Sequence, residues 1–330
     1  MKATSRDRLL SLVMAALSAI LLRTGIIRAC EDMTVRDAAF GYRRDVHILS
    51  VMAQPGDPKA EMIYSRLEKW IATFQGKFNL QLDFVDAVDP AVAWQNYGIP
   101  SAPPSLPVVV LTGRPSPAAG RSIFVVDHWE PGPAESDLEV LRSSPARERI
   151  REVAGQRLAL LVYVPGTDGG SSAAREVVQG VASRWTKQFP LGVEVLEVNR
   201  SDQGERLLLS FMGVARQGPN WAAVVFGRGK LMPPLQGEEI TEAALDGQLK
   251  TLTGNCSCLQ NPTALGVDLP LAWDASLDST VTAFAGPGGA LVHSANVLGV
   301  LGPAMWAIVG LVLLAGLATV VVLRKGNGES

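Results

Sequence analysis

Apolar and polar positions along this chain alternate on two short periods, and two far longer apolar runs flank them. Residues 45–53 (DVHILSVMA) form a short apolar run closed by Gln54-Pro55-Gly56-Asp57-Pro58, which predicts a buried strand and a turn. Over 59–77, Met62, Leu67, Trp70, Ile71 and Phe74 recur at helical spacing. Residues 80–85 alternate as a second strand, and Asp89-Pro90 opens a short helix carrying Val92, Trp94 and Tyr97, with Asp as cap and Pro in its first turn. A proline-rich loop, 100–107, runs straight into Val108-Val109-Val110-Leu111; residues 122–127 predict one more strand and 135–154 a helix.

The second half repeats this order. Residues 158–164 (LALLVYV) predict a strand, 165–170 a loop, 171–189 an amphipathic helix and 193–199 a strand. A helix over 202–213 and a loop ending in Pro219 lead to a strand at 222–226. A hairpin turn at 227–230, an edge strand at 231–236 interrupted by two prolines, and a helix at 239–252 complete the set. Strand, helix, strand, helix, loop-proline, strand, hairpin, strand and helix thus occur twice, which implies α/β architecture with sheets of mixed direction.

The long runs predict membrane segments. From 297 to 323 no residue is charged, enough for a helix across the roughly 30 Å hydrocarbon core. Arg324 and Lys325 follow at once, which puts the tail, 324–330, on the cytoplasmic side and the bulk outside. Near the other end Lys2, Arg6 and Arg8 precede an apolar run at 9–22, so 1–29 reads as a signal peptide or an N-terminal membrane helix. Cys30 sits where a bacterial lipobox would place it, with Arg28 departing from that pattern. Each alternative leaves the bulk on the extracytoplasmic side of the cell (inner) membrane. Residues 30–44 form a polar lead-in. Residues 255–296 hold a Cys-x-Cys segment and then, from 259 to 287, a stretch rich in Pro, Gly, Ala and Thr with few charges, expected to be an extended stalk.

Composition narrows the function classes. Of 330 residues, 47% are apolar, a value raised by the two terminal runs, and the formal net charge of -2 is spread without long runs of one sign. No basic stripe marks a nucleic-acid surface. Partners are therefore expected to be the membrane and other membrane or periplasmic proteins.

Two local patterns carry a resemblance. Tyr97-Gly98-Ile99 is followed by a loop ending Leu106-Pro107 before VVVL, and Gly213-Val214 by Gly218-Pro219 before WAAVVFGRGK. This resembles the thioredoxin fold, in which a Tyr/Phe-Gly-Ile/Val turn precedes a cis-proline and the central antiparallel hairpin. The resemblance covers 45–155 and 156–254, and it implies two tandem thioredoxin-like domains with cis bonds before Pro107 and Pro219.

The family's chemistry does not carry over. Thiol exchange needs cysteines at the start of the first helix, where the helix dipole lowers a thiol's pKa. Those places read Gln54-Pro55-Gly56-Asp57-Pro58-Lys59 and Pro165-Gly166-Thr167-Asp168-Gly169-Gly170-Ser171, with no cysteine. The three cysteines are Cys30, Cys256 and Cys258. An extracytoplasmic chain can join them in a structural disulfide, use Cys256 and Cys258 as a strained redox pair, or ligate Cu(I) through them. No His or Met lies within ten residues of the pair, which weakens the metal reading. His47 reads as a satisfied sheet residue, and Asp127-His128-Trp129 closes a strand whose facing the sequence leaves open. No catalytic residue, cofactor or metal site is expected. The leading expectation is a membrane-anchored binding or scaffolding protein with redox-silent domains. The alternative is a tethered thiol-disulfide or copper-handling protein using Cys256 and Cys258.

Overall fold

A computed structural model describes residues 34–95, 105–113, 124–167, 171–254, 266–278, 281–284 and 291–293. The stretches 1–29 and 297–323, and all three cysteines, lie outside these residues. Among the described residues no helix is long and apolar enough to cross a membrane.

The first unit contains β1 (His47–Ala53), β2 (Leu80–Asp86), β3 (Val108–Gly113) and β4 (Phe124–Trp129) in the order β2-β1-β3-β4. β1 and β2 run parallel, and β3 is antiparallel to both β1 and β4. A short helix in the lead-in, α1 (Val35–Ala38), precedes β1. The crossover between β1 and β2 is α2 (Pro58–Ala72), started by Asp57, whose side chain accepts from the Lys59 amide, with Pro58 in its first turn. Met62, expected on its core stripe, is 68% exposed; Ile63 and Tyr64 take that place beside Leu67 and Trp70. A second helix, α3 (Pro90–Gln95), is capped by Asp89 as the sequence predicts. The single helix expected over 135–154 is two, α4 (Glu135–Arg142) and α5 (Pro145–Val153). Pro145 has no amide hydrogen to continue α4, and Ser144 starts the new helix by accepting from the Arg147 amide.

The second unit repeats the order. β5 (Ala159–Val164) is parallel to β6 (Val193–Glu197) and antiparallel to β7 (Trp221–Phe226). The predicted edge strand 231–236 is split into β8 (Lys230–Leu231) and β9 (Leu235–Gln236), both paired with β7. Helices α6 (Ser171–Gln188), α7 (Arg206–Phe211) and α8 (Glu242–Thr253) complete the unit.

Every residue of β5 and β7 is buried or nearly so, and the period of two divides each strand between two cores. Leu161, Tyr163, Val224 and Phe226 face α6 and α8, packing with Val178, Trp185 and Leu249. Leu160, Val162, Val164, Ala223 and Val225 belong to a cluster that also holds Leu49, Val51, Val109 and Leu111 of the first sheet. That cluster takes in Leu138, Leu141 and Ile150 of α4 and α5, and Leu207 and Phe211 of α7. The two sheets therefore share one apolar core, whereas domains joined by small polar contacts usually move against each other.

The stretch expected to be a stalk is not one over 266–278. β10 (Val267–Asp268) pairs antiparallel with β8 at the edge of the second sheet. Val267, Leu269, Leu271 and Trp273 are all buried in the shared core. Gly266 opens the turn with φ 153°, and a Cβ there would lie 2.0 Å from the Leu231 carbonyl oxygen. Beyond it, Leu269 N–H donates to the Gly229 carbonyl (2.8 Å) and Trp273 N–H to that of Lys77 (2.9 Å). Asn79 brackets the segment, donating to the Leu269 carbonyl at 3.1 Å and accepting from the Leu271 amide at 3.0 Å. Residues 266–273 thus clasp the two units together. A short helix, α9 (Ala275–Asp278), follows, with a two-stranded ribbon of β11 (Thr282–Phe284) and β12 (Leu291–His293).

The described part of the lead-in, 34–44, packs against the rest of the fold. Arg36 is fully buried, and its guanidinium donates to the carbonyls of Ala154 (3.2 Å), Gly155 (2.8 Å) and Arg157 (2.9 Å) while pairing with Asp37 at 2.6 Å. It thereby satisfies carbonyls left open where α5 ends. Arg36→Met keeps the stem but strands those carbonyls, and is expected to destabilise the protein by about 3–5 kcal/mol in chemical unfolding. A loss comparable to an exposed arginine's would show that the carbonyls find water instead.

Candidate functional site

The Leu106–Pro107 peptide is cis, at the start of β3. The bond before Pro219 is not: the other cis bond among the described residues precedes Pro131. The chain instead enters β7 through Gly218 at φ 139°, a conformation that turns the backbone without a cis bond.

In the second unit, the two loops that approach each other at this end of the sheet are fastened together. Thr167 N–H donates to the Gly218 carbonyl, and Gly218 N–H to the Thr167 hydroxyl, each at 3.0 Å. The Asn220 side-chain oxygen, beneath them, accepts from the Tyr163 hydroxyl and the Gly166 amide, both at 2.8 Å. Arg200 spans the pair, donating to the carbonyls of Pro165 (3.1 Å), Ala215 and Pro219. In the first unit the corresponding helix start holds the Asp57 carboxylate at 2.9 Å from the Lys59 amide. The first helix start is thus filled by a carboxylate, and in the second unit the loop before the helix is fastened to the loop before β7.

Beside the fastened loops a cavity of about 490 Å³ opens between the two units. Asp127, His128 and Trp129 at the end of β4 and Asp137 of α4 form one wall; Arg200, Asp202, Arg206 and Ser210 form the other. It shares Arg200, Ser201 and Arg216 with a second hollow, of about 570 Å³, floored by Pro165, Gly166 and Thr167. Together they make a groove from the edge of the first sheet to the loops of the second.

Arg206 organises its centre, pairing with Asp137 at 2.5 Å and with Asp127 at 3.7 Å. Burial raises the pKa of Asp127, and the hydrogen bond from the His128 amide and the charge of Arg206 offset that only in part. Burial acts the same way on Asp137, but the hydrogen bonds from Arg206 and the Ala134 amide outweigh it and lower its pKa. Two carboxylates on one arginine are therefore held in different states of ease, the pattern that marks binding or catalytic clefts as well as structural ion pairs. Trp129 is buried. His128 is exposed at the mouth, its ring edge-on to Trp94 at 5.5 Å.

Among the expected site residues, Pro107 and Pro219 lie on opposite units, and Cys30, Cys256 and Cys258 fall outside the described residues. His47 is fully buried in β1, its Nε2 2.7 Å from the Asp268 carbonyl oxygen, as a sheet residue would be. No group of His, Cys, Asp and Glu among the described residues is arranged to hold a metal ion.

No protein-family model matches the chain, and no curated protein is similar to it in sequence. Solved structures with some likeness are all distant. They include the zinc-bound form of human ERp44, at 11% identity, TM-score 0.23, over 64% of this chain and 57% of that one. The first two thioredoxin domains of Saccharomyces cerevisiae Eps1p match at 10% identity, TM-score 0.23, over 62% and 92%. The NTD_N/C domain of alkylhydroperoxide reductase AhpF from Enterococcus faecalis matches at 15%, TM-score 0.22, over 65% and 94%. The chain spans little more than half the length of the ERp44 chain. TM-scores this low carry no argument; the strand order does. Each unit has a β-α-β-α-β-β core in the order β2-β1-β3-β4 or its equivalent β6-β5-β7-β8, with the third strand antiparallel to the first. The fold is thioredoxin-like in both units.

Proposed function

We propose that this protein is a membrane-anchored, extracytoplasmic binding protein. Its tandem thioredoxin-like domains hold a partner polypeptide in the groove between them and do not exchange disulfides with it. The observation that carries this reading is the groove itself: a polar cleft with walls from both domains, floored by the loop that the Thr167–Gly218 bonds fasten. Three arginines and three aspartates line the first cavity, so the partner segment is one of mixed charge.

The other reading, thiol-disulfide or copper handling through Cys256 and Cys258, places the chemistry outside both domains. The Val35 amide donates to the Gly254 carbonyl at 3.0 Å, so the residues five after Cys30 and two before Cys256 in sequence are hydrogen-bonded to each other. That proximity favours a structural bridge between the two stretches.

The test is photo-cross-linking in native membranes. With His128→p-benzoylphenylalanine, a cross-linked polypeptide is expected that is missing when the probe replaces Glu68, which is exposed on α2 and lines neither hollow of the groove. Equal labelling from both sites would remove the groove from the account. A partner held only as a mixed disulfide, and lost in the C256S/C258S variant, would make the protein an oxidoreductase.

A further inference from the structure

Most of the charge that lines the groove is satisfied within the protein. Arg206 is taken by Asp137 and Asp127, and Arg200 by the carbonyls of Pro165, Ala215 and Pro219. In the second hollow the Glu197 carboxylate is held by Arg175 at 2.6 Å. His128 stands at the mouth, against Trp94. Two charges of opposite sign are left over. Arg216 and Asp202 are both exposed, and neither makes an ion pair with a described residue.

An exposed charge without a partner is ordinary; these two differ in that the backbone beneath each is fixed. The turn at 199–202 is closed by the Asp202 amide on the Asn199 carbonyl (3.1 Å) and by the Ser201 amide on the Asn199 side-chain oxygen (3.0 Å). Asp202 accepts from the Gly204 amide through Oδ1 at 2.8 Å, and no hydrogen bond from a described residue reaches its Oδ2. Arg216 follows Ala215, whose carbonyl Arg200 holds, and lies two residues before Gly218, which is bonded to Thr167. Side chains that start from a fixed backbone lose less freedom when they meet a ligand. Their places differ as well. Arg216 lines both hollows and so stands where they join, whereas Asp202 lines only the first.

We propose, on the reading of the groove as a polypeptide site, that Arg216 and Asp202 select the segment it takes. That segment is an extended stretch that sets a carboxylate on Arg216, where the hollows join, and a cationic side chain on Asp202 in the first cavity. Asp127 and Asp137 are already held by Arg206, so Asp202 is the carboxylate of that cavity open to a partner's cation. Arg216 offers a partner's carboxylate a planar fork that binds it through two N–H groups. Apart from Arg216, the second hollow is lined by charges already engaged and by uncharged groups such as Gly166, Thr167 and Asn199. The stretch beyond the carboxylate is therefore uncharged and polar. Complementary charges at fixed places give such a groove selectivity and register more than raw affinity.

The experiment keeps the His128→p-benzoylphenylalanine probe in the full chain, in native membranes, and adds Arg216→Glu or Asp202→Asn. Asparagine can still accept from the Gly204 amide, and Arg216 is exposed, so both variants should keep the thermal midpoint of the probe-bearing parent. Cross-linking is expected to fall about tenfold or more with Arg216→Glu, which brings like charges together, and about threefold with Asp202→Asn. Mass spectrometry of the cross-linked partner peptide should find an acidic and a basic residue close together in its sequence. Changing that acidic residue to lysine should restore cross-linking to the Arg216→Glu variant, a rescue that a merely structural effect would not give. Undiminished labelling in both variants, or a loss that the partner's lysine does not rescue, overturns the selection by charge and leaves the groove as a binding site. No labelling even in the parent removes the groove as a polypeptide site, and the selection with it.

Discussion

Lys230→Met is expected to cost about 3–5 kcal/mol of folding stability, the usual penalty for breaking a buried ion pair from one side. Lys230, Asp45 and Asp268 are all within a few per cent of full burial, and the lysine stands between the two carboxylates. The carboxylates also answer each other's backbone: the Asp45 amide donates to Asp268 at 2.8 Å and the Asp268 amide to Asp45 at 2.9 Å. Removing the cation leaves two negative groups in one dry site, where they cannot both stay ionised. The clasp should loosen first, because Asp268 is part of it. Hydrogen exchange at the Leu269 and Trp273 amides should therefore quicken more than at Val224 in the second sheet. A triple variant, Lys230→Met with Asp45→Asn and Asp268→Asn, removes the uncompensated charge and should regain most of the loss. Chemical unfolding of the full chain, followed by tryptophan fluorescence, gives the magnitude. A loss below about 1 kcal/mol would mean that the carboxylates are paired by something other than this lysine.

The same segment shows where a sequence can and cannot be read. The strands of the two sheets were legible because buried strands force apolar runs such as LALLVYV, and because turn residues close them. The repeated order then gave the thioredoxin-like topology, since few sheets satisfy those connections. The clasp was missed although it carries a signal: Val267, Leu269, Leu271 and Trp273 alternate with a strand's period of two. Low charge and frequent small residues suggested an extended stalk, and local composition cannot tell a stalk from a strand added by another part of the chain. Arg36 and Arg147 hide for a different reason. Each lies in a polar-looking stretch and is fully buried, because a guanidinium can be desolvated when carbonyls accept its N–H groups. Ser144-Pro145 did announce the break between α4 and α5, as cap and first-turn proline. The groove had no local signature. Asp127 and Arg206 come from different domains, and only the shared core places one opposite the other.

The second large effect concerns acid. His47 is fully buried in β1 against Phe211, with ring centroids 5.4 Å apart, and its pKa is lowered to about 4. Burial is the main cause; the hydrogen bond to the Asp268 carbonyl opposes it, and Arg44 and Asp45 act with opposite signs. A free histidine binds its proton near pH 6.5, so between about 6.5 and 4 the unfolded chain holds more protons than the folded one. Folding stability should therefore fall as the pH drops through that window, by about 3 kcal/mol in all, given 1.36 kcal/mol per pKa unit. Asp268 works the other way, because burial raises its pKa and makes the folded state the better proton binder above its ordinary value. Its contribution recovers stability as the pH falls through its raised folded-state pKa toward the ordinary carboxylate value, so it opposes the histidine's effect. His47→Phe keeps the edge-on contact with Phe211 but gives up the hydrogen bond to the Asp268 carbonyl. The variant should be less stable than the wild type at pH 7 and should lack most of the slope between pH 6.5 and 4, so that the two stability curves converge in acid. Midpoints of the full chain in neutral detergent, measured across that range, check it. Parallel curves would mean that His47 keeps its proton balance on folding, through a path to solvent at its Nδ1, the ring nitrogen that has no partner among the described residues.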